Sequence, residues 1–410
     1  MATIARPDYV PDHVPSELIW DHDLNVYARN LDDPYRLGDH LRATGKPLLF
    51  TRGASRGQVG WVPTGYKVMA EIFMDAENFS SEGNVGIAEM LGMANGLVPI
   101  ELDPPAHRGP RNVLLPILGP APVARMEPMV RGICVELISA FENADGCDFM
   151  ADFATPFPSY VFLELTGLPR AMLPQFMEWE HRFIRGVDMA DRLVAIKEIV
   201  AHLRQHAERR RSGEDPPRGD IVDTVLGATV DGKPLTWDEI MGFLLTFYLG
   251  GLDTVIASLG WHMQYLATHP ELQERLRAHP ELIPGAVDDF FRAFGVTTTR
   301  RYVRRDMEFH GIQLKKGDRV LMPTSVAGRD PEMFSNPDVI DPERGGRPLT
   351  FASGIHNCAG AHLARREARY VLEEFFKRFR NIRIAKGKTP IYQTDGTWAF
   401  DYLPIEWDPV

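Results

Sequence analysis

The sequence predicts a mostly α-helical protein with a small β-rich region. From about residue 122 onward, apolar residues recur at steps of three and four over long stretches, which is the period of an amphipathic helix. Strand signals are short alternating runs near the two ends of the chain. No Ser/Gly-rich linker, low-complexity tract or repeat divides the 410 residues, so one large domain over residues 1–410 is predicted.

The individual elements follow from these periods. The predicted helices span residues 126–141, 171–184, 193–211, 237–268 and 362–378. The predicted strands are residues 47–51 and 58–62, which form one pair, then 313–314, 319–323 and the last twenty residues. The β-rich region is therefore expected at about 40–65, 295–325 and 385–410, and the helical body at about 120–380.

Composition narrows the possible functions. The formal net charge of −11 argues against nucleic acid or an anionic membrane as the main partner. The first 23 residues hold three prolines and neither a basic nor a long apolar run, so no signal peptide or membrane anchor is expected. Three scattered cysteines make no disulfide framework and fit a reducing cytoplasm. Cys134 lies in a helical run and is predicted to be a buried helix residue.

Residues 80–95 combine several glycines with Met90, Leu91 and Met93, so this segment is predicted to be flexible and apolar together. Loops of this kind often cover a hydrophobic pocket. An ordinary surface loop would have the same composition, and both interpretations stay open.

Cys358 stands in the stretch Phe351-Ala-Ser-Gly354-Ile-His356-Asn-Cys358-Ala-Gly360, directly before the last predicted helix. A thiolate at a helix N-terminus gains from the helix dipole and from backbone N–H groups, which lower the pKa of a thiol and suit it to bind a metal. Glycines let further backbone amides approach the sulfur. Tetrahedral zinc sites and iron–sulfur clusters are usually bound by several thiolates. No second cysteine is near Cys358 in sequence, so a haem is favoured over these metal sites.

This stretch resembles the cysteine-ligand loop of the cytochromes P450, whose pattern is F-x-x-G-x-x-x-C-x-G with a basic residue two before the cysteine. Five positions match the pattern: Phe351, Gly354, His356, Cys358 and Gly360. The resemblance implies that Cys358 is the axial ligand of a haem iron and that Phe351, His356 and Gly360 lie beside the cofactor. Many relatives have glycine at the position of Ala352, and this change is expected to be tolerated.

A second motif, Gly250-Gly251-Leu252-Asp253-Thr254, lies inside the long apolar helix predicted at 237–268. Each interior glycine costs roughly 1 kcal/mol relative to alanine, and a buried Asp needs a partner. A close helix crossing would explain the two glycines. The motif also resembles the acid–alcohol pair of the P450 family, where the helix kinks over the haem to admit O2. That resemblance implies that Thr254 holds the reacting oxygen and a water, and that Asp253 feeds protons.

A third motif is Asp289-Phe-Phe-Arg292, a carboxylate and a guanidinium three apart on one helix face. Taken alone, it is an ordinary helix ion pair. It resembles the P450 E-x-x-R motif with Asp in place of Glu, and this implies a charge-assisted network with a later arginine, Arg344.

A fourth set consists of cations: His107, Arg111, Arg301 and His356. Each alone could be a surface cation. Haem carries two propionates, for which Arg and His are suitable partners. The positions resemble those that share this role in the P450 family, which implies that all four bind the propionates.

The resemblance covers essentially the whole chain, and the later half is most similar to the bacterial camphor-hydroxylase branch, through residues 250–254, 308–318, 362–367 and 403–409. It implies the P450 fold, haem b (iron protoporphyrin IX), O2 as co-substrate and electrons from a [2Fe-2S] ferredoxin with a flavin-dependent ferredoxin reductase. We therefore expect a cytoplasmic monooxygenase of a small hydrophobic terpenoid, with neither a nucleic acid nor a membrane as partner.

The same resemblance implies five substrate-pocket residues: Asn95, Thr246, Leu249, Thr297 and Thr397. Asn95 stands where the camphor enzyme has a tyrosine that binds the ketone, and Thr246 and Thr297 stand where it has apolar residues. A compact monoterpenoid or norisoprenoid with one oxygen, resembling camphor, cineole or ionone, is therefore preferred to camphor itself. Asn95 is also compatible with a solvated loop residue.

Electron delivery requires a docking surface. Arg108, Arg111 and Arg365, together with Arg347, flank motifs expected on the cysteine side of the haem. A local basic face for an acidic ferredoxin is therefore predicted despite the negative net charge. Scattered solvated arginines are the alternative.

Three alternative functions remain open. The same catalyst could oxidise an aromatic or fatty acid, but such a substrate wants a cation or several hydroxyls in the pocket, and residues 80–95 and 244–252 offer no clear candidate. A haem-binding sensor without turnover would not need Asp253 and Thr254. A cysteine hydrolase would need His356 as a base for Cys358, and bound haem would exclude it.

Overall fold

The computed structural model describes residues 9–54, 57–94, 96–186 and 188–410. The α-helices are α1 (Leu24–Arg29), α2 (Leu37–Arg42), α3 (Tyr66–Met74), α4 (Ile87–Leu91), α5 (Arg108–Val113), α6 (Leu115–Leu118), α7 (Pro120–Arg125), α8 (Glu127–Ser139), α9 (Pro156–Thr166), α10 (Leu173–Glu180), α11 (Met189–Ser212), α12 (Ile221–Leu226), α13 (Trp237–Gly251), α14 (Asp253–Thr268), α15 (Pro270–Ala278), α16 (Ile283–Ala293), α17 (Thr324–Ala327) and α18 (Ala361–Arg378). The strands are β1 (Ile19–Asp23), β2 (Leu48–Gly53), β3 (Gly60–Pro63), β4 (Phe79–Ser80), β5 (Gly146–Asp148), β6 (Thr229–Val230), β7 (Lys233–Pro234), β8 (Thr298–Val303), β9 (Met307–Phe309), β10 (Ile312–Leu314), β11 (Arg319–Pro323), β12 (Phe379–Ile384), β13 (Ile391–Gln393), β14 (Ala399–Tyr402) and β15 (Pro404–Pro409).

The predicted fold class, mostly α with a small β-rich region, is confirmed. The predicted helices 126–141, 193–211 and 362–378 correspond to α8, α11 and α18. The predicted helix 171–184 forms as α10 and continues as a π-helical turn, His181–Arg185. The predicted helix 237–268 forms as two helices, α13 and α14, that meet at Leu252.

The chain groups into two compact units. The first unit comprises the described parts of Met1–Asn84, Pro284–Cys358 and Tyr392–Ala399. Its main feature is a six-stranded mixed sheet with strand order β1-β2-β3-β11-β8-β4. The pairs β1–β2 and β3–β11 are parallel and the other neighbours are antiparallel. Strands β9 and β10 form a separate hairpin.

The second unit comprises the described parts of Val85–Ile283, Ala359–Ile391 and Phe400–Val410. Its core is an apolar cluster to which α9, α10, α11, α12 and α13 all contribute. Aromatic rings order the middle of that cluster, because Phe162 and Phe176 both pack against Tyr248, at ring-centroid distances of 5.6 and 5.8 Å. A three-stranded sheet of order β12-β15-β5 completes the unit. The prediction of one catalytic domain over residues 1–410 stays a prediction.

Helix α13 begins at a capping box. The Thr236 hydroxyl accepts the N–H of Glu239 at 3.3 Å, and the Glu239 carboxylate accepts the N–H of Thr236 at 2.7 Å. Among the described residues, only the stretch Trp237–Thr268 is long and apolar enough to cross a membrane by length and composition, and 67% of its most apolar window is buried inside the protein. The stretch therefore has the burial expected of the core helix of a globular protein.

Cys134 lies in α8 and is buried, as predicted. Its sulfur is 3.9 Å from the carbonyl oxygen of Tyr370 on α18. Burial raises the pKa of the Cys134 thiol, so the side chain behaves as a small apolar group in the contact between α8 and α18.

Candidate active site

The Cys358 loop is held by its own backbone. The N–H of Cys358 donates to the carbonyl oxygen of Phe351 at 2.8 Å. The Asn357 side-chain amide donates to the carbonyl oxygens of Phe351 and Ala352 at 3.1 and 3.2 Å. These bonds close the turn between two short 3-10 segments, Leu349–Phe351 and Gly354–His356. Cys358 is exposed, three residues before α18 begins at Ala361.

The loop is anchored within the first unit by Phe351 and Gly354. The Phe351 ring is buried against the ring of Phe291 on α16, with centroids 4.8 Å apart. Gly354 has φ +70°, and a Cβ there would lie 2.7 Å from the carbonyl oxygen of Phe73 and 3.3 Å from the Cα of Met74. Only glycine therefore fits at position 354, for both its backbone conformation and its packing on α3.

Ala352 adopts a backbone conformation that glycine prefers, with φ +55° and ψ −170°. The sequence predicts that alanine is tolerated at this position, and the loop does form around it. An L-residue in this region of φ/ψ space carries strain on the order of 1–3 kcal/mol. The surrounding hydrogen bonds hold that strain in the turn that leads to Cys358.

Helix α13 ends at the two glycines, and α14 begins at Asp253. Leu252, between the helices, has φ −103° and ψ −80°. Gly250 and Gly251 are exposed in an otherwise buried stretch, and a Cβ at either position would meet no other described heavy atom within 4 Å. A close helix crossing, the alternative explanation for the glycines, is therefore wrong, because they face open space.

The side chains of Asp253 and Thr254 lie at this break. The Thr254 hydroxyl donates to the carbonyl oxygen of Gly250 at 2.9 Å, across the break. This bond uses the hydroxyl proton and leaves the oxygen lone pairs able to accept a hydrogen bond. Asp253 is buried at the first position of α14. The break thus presents a hydroxyl and a carboxylate in adjacent positions.

The predicted propionate cations lie in both units. In the first unit, Arg301 on β8 is buried, and its guanidinium lies over the ring of Phe73 at 5.5 Å. Gly354 of the cysteine loop packs on the same residue, so Phe73 touches both. His356 is half-buried in the loop.

In the second unit, His107 is buried and Arg111 is half-buried, one helical turn apart at the start of α5. The N–H of Arg111 donates to the carbonyl oxygen of His107 at 3.0 Å. Burial and the positive charge of Arg111 lower the pKa of His107, and Asp103 opposes them. The imidazole therefore favours its neutral form, which still has one N–H to donate.

The Asp289 network joins three parts of the first unit. Asp289 accepts from Arg292 at 2.5 Å and lies 3.0 Å from the Nε of Arg344, and all three side chains are buried or nearly so. Arg292 also donates to the carbonyl oxygens of Gly328 and Pro337, each at 2.7 Å. The shorter acid thus contacts both arginines, and the network fixes the loops that precede the cysteine loop.

The predicted pocket residues have different surroundings. Asn95 lies outside the described residues. Thr246 on α13 has a buried hydroxyl oxygen with no hydrogen-bond partner among the described residues. Leu249 packs partly buried against the core of the second unit. In the first unit, the carbonyl oxygen of Thr297 accepts from the N–H and hydroxyl of Thr324, both at 2.9 Å, and Thr397 is half-buried.

The predicted electron-partner arginines Arg108, Arg111 and Arg365 belong to the second unit. Arg108 is exposed and makes no ion pair with any described residue. Arg365 is half-buried and donates to the carbonyl oxygen of Ala361 at 3.3 Å. Arg347, in the first unit, is exposed.

Comparisons with known proteins decide the family. A family model described as cytochrome P450 matches residues 169–286 and 291–398. The chain is 33% identical over 405 residues to the probable cytochrome P450 127A1 of Sinorhizobium fredii, covering 97% of each protein. The chain belongs to the cytochrome P450 family. The P450s are monooxygenases, so this P450 is an oxidoreductase, and the cysteine hydrolase alternative is excluded.

Solved structures of P450s agree in fold. The crystal structure of CYP101J2 is 32% identical and matches with a TM-score of 0.86, over 97% of this chain and 99% of that chain. That of CYP101C1 is 27% identical, with a TM-score of 0.87 over 97% and 100%.

Membership of the P450 family implies a haem-iron cofactor, and this chain has the residues to hold it. Cys358 offers its side chain to solvent at the end of a hydrogen-bonded turn. A Cβ at Gly250 or Gly251 would meet open space, as a helix that approaches a flat cofactor requires. Arg301 and His107 are buried cationic or donor groups of the kind that binds carboxylates.

Two buried carboxylates of the second unit were missed by sequence reasoning. Glu101 accepts three backbone N–H groups, and burial raises the pKa of Glu367 on α18 to about 8. Glu367 lies beside buried Ala368 on the apolar face of α18, and a charged residue on an apolar face is a signal that could have found it. No comparable sequence signal marks Glu101, because its partners are backbone groups.

Proposed function

We propose that this P450 inserts one oxygen atom of O2 into a C–H bond of a small hydrophobic terpenoid, with electrons from a [2Fe-2S] ferredoxin. The break between α13 and α14 carries the proposal, because glycines facing open space lie there beside a hydroxyl and a buried carboxylate. A sensor without turnover would need no such proton-bearing groups.

The cofactor proposed is haem b, which when bound supplies an iron that activates O2. We assign Cys358 as the residue that would hold this iron, because an anionic sulfur would donate the charge that the oxygen chemistry of a P450 haem requires. Phe351 supports the loop from within the first unit, and Gly360 ends it as the N-cap residue of α18. The propionate partners proposed are Arg301 and His356 in the first unit and His107 and Arg111 in the second.

Proton delivery is assigned to the residues at the helix break. Thr254 donates its hydroxyl proton to Gly250, so its oxygen can accept a hydrogen bond from a water or from a protonated reactant. Asp253 is the neighbouring titratable group and would pass protons inward. Thr254 would therefore hold a proton-donating water in place, and Asp253 would supply that water with protons.

The substrate class rests on the composition of α13. From Gly242 to its end at Gly251 this helix carries no Lys, Arg or His, and neither does Leu252 after it, so the stretch offers no cation to an acidic substrate. The buried hydroxyl of Thr246, which has no hydrogen-bond partner in the part of the chain that the structure describes, supplies one polar contact on an apolar wall, and Leu249 extends that wall. Leaving a buried hydroxyl without a hydrogen-bond partner costs free energy. A substrate oxygen that hydrogen-bonds to Thr246 would remove this cost, which favours a compact terpenoid with one oxygen. Asn95, Thr297 and Thr397 are further pocket candidates.

A fatty or aromatic acid is the second candidate substrate. One solved relative, 25% identical with a TM-score of 0.82, is P450BioI in complex with an acyl carrier protein that carries hexadec-9Z-enoic acid. The absence of a cation from residues 242–252 weighs against an acid here.

Spectroscopy tests both levels of the proposal. The reduced protein with CO should show the far-red-shifted Soret band of thiolate-bound haem, and Cys358→His should lose it.

A titration tests the substrate class, with camphor, 1,8-cineole, β-ionone, benzoic acid and a fatty acid as ligands. The terpenoids should shift the haem spectrum at lower concentrations than the two acids do. Tighter binding of the acids would refute the terpenoid assignment, and Thr246→Val should weaken only the oxygenated terpenoids, by about tenfold.

A further inference from the structure

Glu101 is a buried carboxylate that lies in sequence between the 85–97 segment and α5. Its side chain accepts three backbone hydrogen bonds. One carboxylate oxygen accepts the N–H of Val85 at 2.7 Å and of Gly86 at 3.0 Å, and the other accepts the N–H of Leu97 at 2.8 Å. Glu101 is only 4% exposed, and no described cation lies within ion-pair distance of it. Among the described residues, the hydrogen bonds to its carboxylate therefore come from backbone N–H groups.

These three bonds join the two ends of one segment. Residues 85–97, described apart from Asn95, contain the short helix α4 and are bounded by Val85 and Leu97. Gly96 makes the closure possible, because it has φ +67° and a Cβ there would lie 3.2 Å from the Cβ and from a carboxylate oxygen of Glu101. A single side chain thus closes the segment into a loop.

The segment rests on α13. A Cβ at Gly242 would lie 3.0 Å from the backbone N of Val98 and 3.1 Å from the carbonyl oxygen of Gly96. Ala88, Leu97 and Val98 are part of the same buried cluster as α13, and Val85, Ile87, Leu91 and Met93 pack against it.

The contact places the segment beside the proposed substrate wall. Gly242, Thr246 and Gly250 follow one another at four-residue steps, so they share one face of α13. The backbone of residues 96–98 covers this face one turn before the buried Thr246 hydroxyl and two turns before the open glycines.

We propose that Glu101 is a positioning residue for substrate binding: it fastens the 85–97 segment against α13 and so fixes one wall beside Thr246. The effect on substrate binding rests on the proposed function. The hydrogen bonds that fasten the segment lie within the second unit and do not depend on it. Release of the carboxylate would free both ends of the segment together. A ligand too large to pass the closed segment would then enter and leave faster.

Glu101→Gln tests the fastening in the full-length, haem-loaded protein. The amide keeps the shape of the carboxylate but turns one acceptor into a donor that faces a backbone N–H. Hydrogen–deuterium exchange of peptides spanning residues 85–97 should become at least tenfold faster, and peptides of α13 and α18 should keep their rates. Gly96→Ala disturbs the same contact, because its Cβ would press against the Glu101 side chain. It should also accelerate hydrogen–deuterium exchange in the peptides spanning residues 85–97.

Glu374→Gln is the matched control, because it also removes a buried carboxylate of the second unit, but one held by cations on α8 and α18. It should lower the thermal stability without a selective change in residues 85–97. Unchanged exchange of this segment in both Glu101→Gln and Gly96→Ala would overturn the proposal. An equal acceleration in all peptides of the second unit would also overturn it, by showing a merely structural role.

Ligand kinetics test the link to the substrate wall. The probe is 4-phenylimidazole, with imidazole as the small counterpart. Glu101→Gln should raise both the association and the dissociation rate of 4-phenylimidazole at least fivefold, and those of imidazole less than twofold. Equal effects on the two ligands would overturn the positioning role. The wild-type CO spectrum separately reports whether the haem-thiolate assignment holds, so the two failures are distinguishable.

Discussion

Two threonines eight residues apart, Thr246 and Thr254, use their hydroxyls differently. Thr254 donates to the carbonyl oxygen four residues earlier, as Ser258 does in the same helix. Thr246 makes no such bond although its oxygen is buried. The sequence predicts Thr254 as functional from the glycine motif, and Thr246 from its resemblance to a pocket position of the camphor enzyme. It cannot show which hydroxyl is satisfied by the backbone, since that depends on the rotamer.

Thr254→Ala should leave substrate binding and haem reduction unchanged but lower the product formed per NADH consumed by about tenfold or more. The reason is that no hydroxyl oxygen remains at the helix break to hold the proton-donating water. Product yield and peroxide release, measured side by side, check this. Thr268→Ala, which removes another back-bonded hydroxyl from α14, is the control and should stay fully coupled. Full coupling in Thr254→Ala would remove this residue from proton delivery.

Ala352→Gly should stabilise the protein, because glycine adopts φ +55°, ψ −170° without the strain that alanine carries. Glycine also gains entropy in the unfolded chain, so the net gain is about 1 kcal/mol or less. The thermal midpoint of the haem-bound protein should rise by roughly 1–3 °C. Ala364→Gly, inside α18, should lower it, since glycine weakens a helix interior. A lower midpoint in both variants would show that Ala352 is not strained.

At the scale of elements, the sequence predicts those whose pattern is local. Helix α18 and strand β11 follow their periods closely, because each buries one regular face. Helix α9 has no helical signal in the sequence, because Pro156 and Pro158 open it and its residues are apolar nearly all round. The order of the six-stranded sheet could not be predicted, because β3 and β11 pair across more than 250 residues and no local signal sets that pairing. The sequence indicates a candidate site residue where residue type and spacing carry the signal, as at Cys358, and gives no signal where the partners are backbone amides, as at Glu101.

Helix α18 places two buried glutamates in opposite environments. Burial raises the pKa of Glu367 to about 8. Burial would also raise that of Glu374, but hydrogen bonds from Lys377, Arg378 and Arg131 outweigh it and lower the pKa to about 2. Glu367 is therefore protonated at neutral pH, and Glu374 is ionised and paired.

These shifts predict opposite pH dependences. The folded state binds the Glu367 proton more tightly than the unfolded state, so this group's contribution to stability is complete below a pH of about 4.5 and is lost as the pH rises towards 8. Glu367→Gln should flatten the fall of the thermal midpoint between pH 5 and 8. Glu374→Gln should instead lower the midpoint at pH 7, because it removes the carboxylate that Arg131, Lys377 and Arg378 share. This deficit should shrink as the pH falls towards 2. An unchanged pH profile in Glu367→Gln would contradict the buried neutral carboxyl.

At the scale of the whole molecule, the negative net charge of the chain opposes the binding of an acidic electron donor. The chain carries a net charge of −11, and a ferredoxin of the proposed type is also acidic. Overall repulsion must therefore be overcome by a local basic surface. Arg108 is the candidate best placed by the structure, because it is exposed and no described acid neutralises it.

Arg108→Glu should raise the ferredoxin concentration needed for half-maximal turnover by about tenfold at low salt and leave substrate affinity unchanged, because it inverts a charge at the docking surface. The effect should shrink as salt screens the pair, since the Debye length is roughly 10 Å at 0.1 M. Lys197→Glu is the control: Lys197 is exposed on α11 of the same unit, and its substitution also changes the net charge from −11 to −13 by replacing +1 with −1. A long-range effect of net charge would weaken both variants equally, whereas a docking contact weakens only Arg108→Glu. Wild-type turnover by Arg108→Glu at limiting ferredoxin and low salt would remove Arg108 from the docking surface, and Arg111 and Arg365 would be the next positions to substitute.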